Sequence, residues 1–81
     1  MRAKRILQRG AFTPEDFARV QQVFDDSWAT VAPTIPRGDR PQRREMLATI
    51  VLSLATARSD LEPAEMTPIA LRLFGVIGEV A

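Results

Sequence analysis

Residues 12–31 read FTPEDFARVQQVFDDSWATV. This stretch decides the fold class, because a complete helix start runs straight into a helical period. The Thr13 hydroxyl can accept a backbone N–H of the first turn. Pro14 falls at the first helical position, where a missing N–H costs nothing. Glu15 and Asp16 sit at the positive end of the helix dipole, and Phe12 and Phe17 are spaced for a hydrophobic staple. Phe17, Val20, Phe24, Trp28 and Val31 then recur at steps of three or four and make one apolar stripe. Arg19, Gln21, Gln22, Asp25 and Asp26 occupy much of the remaining surface. A helix is expected from about Pro14 to Val31, ending before Pro33.

Working outward, Pro33, Pro36, Gly38 and Pro41 crowd too closely for regular structure, so a loop is expected over 32–40. A second helix starts near Arg40 or Pro41 and ends around Arg58 or Ser59. Its apolar positions are Leu47, Ile50, Val51, Leu54 and Ala55, widened by Met46 and Leu52, and its small residues (Ala48, Thr49, Ser53, Thr56, Ala57) admit a close neighbour. Met66-Thr67-Pro68 repeats the apolar–Thr–Pro pattern of the first start. It predicts Thr67 as the cap of a third helix and Met66 as a staple to Leu71, with residues 61–66 as a separate short turn. The competing start, at Asp60 or Glu62, puts Pro68 inside the helix with a kink. Gly75 either stops this helix or lies within it at about 1 kcal/mol. No segment alternates with period two for long enough to be a strand. The expected fold is all-α, a small antiparallel three-helix bundle with an extra short helical turn before the third helix. Residues 12–81 form one domain, preceded by a flexible basic arm over 1–11 that carries Arg2, Lys4, Arg5 and Arg9.

The 81 residues contain no histidine, cysteine or tyrosine. The commonest general base, the reactive thiol and the usual zinc ligands are therefore missing. A chain of this length buries roughly 60–65% of its unfolded surface. No disulfide can staple it, and its core rarely supplies more than about 3–5 kcal/mol. Eleven basic and ten acidic side chains leave a net charge of +1, which gives no global attraction to nucleic acid or membrane. No apolar run approaches the ~20 residues that cross a bilayer, and no signal-type apolar stretch follows the basic start. A soluble, cytoplasmic protein is expected.

The third helix carries the functional expectation. Ile69, Leu71, Leu73, Phe74, Val76, Ile77 and Val80 cover most of its sides, and Arg72 and Glu79 are its only charges. A helix that is apolar nearly all round needs more cover than two neighbours give. The excess predicts a homodimer interface or a patch for another protein, with Phe24, Trp28, Leu73, Phe74 and Ile77 as the partner-binding residues.

Arg37, Arg40, Arg43 and Arg44 form the densest basic cluster. Three of them lie in the first turn of helix 2, the wrong end of the dipole for cations. They are expected to pair with Asp25 or Asp26 across the hairpin, to pair with Asp39 and Glu45 locally, or simply to be solvated. The alternative is phosphate binding by Arg40, Arg43 and Arg44, which with the basic arm makes nucleic acid a possible but not favoured partner. The long first linker and the apolar third helix argue against a helix-turn-helix. Asp60, Glu62 and Glu65 lack the alternate spacing and central glycine of a calcium loop. Asp25-Asp26 and Glu15-Asp16 are sequence neighbours on solvated helix surface, so no catalytic, metal or cofactor site is expected.

Phe24-Asp25-x-x-Trp28, Leu47-Ala48-x-Ile50-Val51-Leu52-Ser53-Leu54-Ala55 and Ala70-Leu71-x-Leu73-Phe74 together resemble a group of short helical proteins of alphaproteobacteria, over roughly residues 12–75. The resemblance implies a helical fold and a bacterial, cytosolic origin. It brings no activity, cofactor or catalytic residue. The expected function is that of a non-catalytic protein–protein interaction module that self-associates.

Overall fold

The computed structural model describes residues 13–80. Three helices pack against one another: α1 (Pro14–Val31), α2 (Arg40–Ala57) and α3 (Pro63–Val80). No strand occurs among the described residues. The expected all-α three-helix bundle is therefore the fold. The N-terminal arm and Phe12, with its proposed staple, lie outside the described residues.

α1 begins as its sequence requires. Asp16 N–H donates to Thr13 Oγ1 at 3.1 Å, and Thr13 N–H donates to Asp16 Oδ2 at 3.2 Å. This capping box satisfies two of the orphan donors of the first turn. Arg19 leans on the same carboxylate at 3.3 Å. The backbone N–H of Thr13, then its side chain and Arg19, holds the Asp16 carboxyl below its ordinary value.

The first linker is more ordered than its prolines suggest. Single 3₁₀ turns form at Ala32–Thr34 and Arg37–Asp39. Between them Ile35 turns inward and joins the core. Thr34 Oγ1 donates to the Val31 carbonyl at 2.7 Å, and Arg40 Nε donates to the Ile35 carbonyl at 3.0 Å. A buried apolar side chain thus sits on backbone whose polar groups are accounted for nearby.

The third helix corrects the expected start. It begins at Pro63, so residues 63–67 are its first turns rather than a separate one, and Thr67 is not a cap. Glu62 N–H donates to Glu65 Oε1 at 2.9 Å, and the Thr67 hydroxyl donates back to the Pro63 carbonyl at 3.0 Å. Burial decides between the two starts. Met66, Ala70 and Phe74 fall at i, i+4 and i+8 and are 0%, 0% and 8% exposed, so one continuous helical face is driven into the core. A break at Thr67 would put Met66 out of register with the other two. That burial offsets the N–H lost at Pro68. Gly75 lies within the helix, and no glycine among the described residues takes a positive φ.

The three helices run up, down and up. Arg19 near the start of α1 donates to the Leu61 carbonyl and contacts Met66 Sδ at 3.6 Å, so α1 and α3 start at the same end. A Cβ added to Gly78 would lie 2.9 Å from Arg43 Nη1, so the start of α2 is beside the end of α3. Val20, Val23, Ile35, Leu47, Ile50, Val51 and Ala55 meet the α3 row in one core. Ser27 is also buried there, and its hydroxyl finds no hydrogen-bond partner among the described residues.

Two expectations follow. Ser27→Ala removes an unbonded polar group from the core and raises stability by about 1 kcal/mol, whereas Leu47→Ala costs about 2–5 kcal/mol and unfolds much of a chain this small; denaturant titration followed by circular dichroism checks both. The depressed Asp16 carboxyl stabilises the fold above its unfolded pKa, and that contribution is lost as pH falls through the lower folded value. Asp16→Asn should therefore lower the melting temperature at pH 6, with the gap to wild type closing below about pH 4.

A candidate interaction groove

α1 and α2 diverge enough to leave an open groove of about 810 Å³ between them, and no α3 residue lines it. Phe17, Phe24 and Trp28 form the α1 wall, and Ala48 and Leu52 the α2 wall. The α1 stripe read from the sequence is wider than the core it serves. Val20, Val23 and Ser27 face inward, while Phe24 and Trp28 are half-buried and Phe17 is 63% exposed. The aromatic positions are therefore rotated off the core face and onto the groove. Spacing alone does not separate the two faces, because three- and four-residue steps keep both on one broad stripe.

Phe24 and Trp28 lie nearly parallel, with ring centroids 6.3 Å apart and planes 8° from one another. The Arg44 guanidinium sits 5.7 Å from the Phe24 centroid, within cation–π range. Arg37 and Arg40 join it at the Trp28 end of the groove, and Glu45 is the acidic member of the lining. The groove thus has an apolar end at Phe17 and Leu52 and a cationic, aromatic end at Trp28.

The expected ion pairs across the hairpin do not form. Among the described residues the salt bridges are Asp16–Arg19 and Arg58–Asp60. Asp25 instead accepts from Gln21 Nε2 at 3.0 Å, one turn along its own helix. Two long side chains held in one geometry on an exposed surface give little in return for their lost freedom, and the arginines find aromatic and carbonyl partners instead. Their proposed trio is also divided. Arg40 and Arg44 line the groove, whereas Arg43 turns toward Met46 and Gly78. Arg58 and Asp60 make a bidentate contact, 3.1 Å for each bond, which raises the Arg58 pKa and lowers that of Asp60.

The residues expected to meet a partner fall into three places. Phe24 and Trp28 are in the groove. Leu73 and Ile77 are on the exposed side of α3 with Ile69 and Val76. Phe74 is a core residue, buried with Met66 and Ala70, and is not available to a partner. Phe17 and Leu52 are exposed, although apolar side chains at helical spacing read as core. Among the described residues no cluster of acidic side chains is arranged to hold a metal ion, and no helix is long and apolar enough to cross a membrane.

No protein-family model, curated protein or solved structure matches the chain.

Trp28 is the one tryptophan and reports on the groove directly. Phe24→Ala removes the ring stacked beside it and should shift its emission to the red at a stability loss of about 0.5–1.5 kcal/mol beyond lost area. Arg44→Ala should leave the emission within a few nanometres of wild type. Fluorescence spectra and denaturant curves for the two variants check this.

Proposed function

We propose that this protein is a non-catalytic interaction module that self-associates through α3. The observation that carries the proposal is the uncovered stripe of that helix. Ile69, Leu73, Val76 and Ile77 remain between 36% and 54% exposed after α3 has packed against both neighbours. Ile69 and Ile77 lie four residues to either side of Leu73. An isologous two-fold contact pairs the same patch on both copies. With two α3 helices antiparallel, Leu73 meets Leu73 and Ile69 meets Ile77, along the i±4 ridge that packs helix on helix. Removing these side chains from water contributes about 25 cal/mol per Å² of apolar area, which a thin core of this size otherwise lacks. The lack of cysteine supports the cytoplasm as the compartment.

Leu73→Asp should hold the protein at the single-chain mass of 9.0 kDa at every concentration, with its helix content unchanged. Wild type should move toward twice that mass as concentration rises. Sedimentation equilibrium decides: a wild-type chain that stays single up to millimolar concentration overturns the proposal.

A further inference from the structure

We infer that the α1–α2 groove is a docking site for an acidic amphipathic helix of another protein, lying along the groove with its carboxylates at the Trp28 end. The inference concerns a different face from the α3 stripe and does not depend on it.

Shape supports a rod as the occupant. The groove is lined from Phe17 at one end to Trp28 at the other and is not enclosed, which suits a helix rather than an enclosed small molecule. From Phe17 to Trp28 it spans eleven helical steps, about 16 Å at 1.5 Å per residue. That is three turns, enough for apolar anchors at i, i+4 and i+7. The anchors would fill the channel between Phe17, Phe24 and Trp28 on one side and Ala48 and Leu52 on the other. Aromatic side chains of this kind, half-exposed and rigid, are common anchors of such contacts.

Charge selects the partner. Arg37, Arg40 and Arg44 converge on one end of the groove, and none of them is in a salt bridge among the described residues. Arg44 is held over Phe24 and Arg40 is tethered through Nε, so two of the three cations are positioned before a partner arrives. A helix with glutamates or aspartates in its last turn satisfies them. If its C-terminus lies there, the negative end of its dipole adds to the attraction. The chain's own segment 1–12 carries Arg2, Lys4, Arg5 and Arg9. Its sign matches that of the rim, which argues against it as the occupant. The aromatic and aliphatic walls favour a protein helix over a nucleic-acid backbone, whose contacts are chiefly with phosphate.

The test is selection from a displayed library of helical peptides of about 14 residues, using the full-length protein as bait. Enriched sequences should carry apolar residues at i, i+4 and i+7 with carboxylates toward one end, and as free peptides they should change Trp28 emission saturably. Arg37→Glu with Arg44→Glu should weaken them about tenfold or more, and replacing the peptide carboxylates by lysine should recover the loss. Leu52→Asp, which leaves the cations intact, should weaken them as well. Circular dichroism verifies that each variant is folded, and Leu73→Asp should leave peptide binding unchanged. Absence of enrichment overturns the inference, as does enrichment of basic or non-helical sequences. Two further results also overturn it: a short duplex DNA that changes Trp28 emission and is insensitive to Leu52→Asp, or loss of self-association in Leu52→Asp, which would make the groove a contact between copies.

Discussion

The burial of Met66, Ala70 and Phe74 between the other two helices is the constraint on which the rest of the structure depends. These three side chains lie one turn apart on a single face of α3, and the core closes around them. Their alignment requires one unbroken rod from Pro63 onward. It therefore sets the helix start, carries Pro68 into the body of the helix and leaves the adjacent row of α3 facing outward. Ile69, Leu73, Val76 and Ile77 are exposed because their neighbours on the same helix are not. A helix has only one face to give to a two-helix cradle, and this one is apolar on more than one.

The same geometry explains the groove. α1 and α2 turn their inner residues toward α3, and the aromatic flank of α1 is left on the far side. In a larger protein another element would cover Phe17, Phe24 and Trp28. Among the described residues no α3 side chain lines the groove, and surface grows relative to volume as domains shrink. Two apolar surfaces of different character result: one on α3 without a charged side chain in its stripe, the other bordered by arginines. The contrast between them is why the two surfaces are proposed to take different partners.

How much was legible in the sequence varied with how local the deciding signal was. The start of α1 was readable because Thr13, Pro14 and Asp16 fix it within four residues. The start of α3 was ambiguous, since Leu61-Glu62-Pro63 and Met66-Thr67-Pro68 each supply a proline at a possible first position. The deciding term is the long-range burial of Met66, which no local pattern records. Ile35 was hidden for a similar reason: flanked by prolines, it reads as loop although it plugs the core. The groove escaped notice because helical spacing shows which residues share a stripe but not how far that stripe overhangs its neighbours. Asp25 and Asp26 stay on the outside of α1 and, among the described residues, form no ion pair with the arginines; burial rather than spacing separates the two expectations for this cluster, pairing and solvation.

Pro68 has a consequence for the way the molecule breathes. Without an N–H, it takes one rung out of the amide ladder of α3, so the turns on either side of it are not held by one continuous run of backbone bonds. The earlier turn is fastened sideways, by the buried Met66 and by the grip of Arg19 on the Leu61 carbonyl. The later turns are fastened by Ala70 and Phe74. The missing rung is a local weak point in an otherwise continuous helix, and the few amides before it should exchange with solvent deuterium faster than those after it.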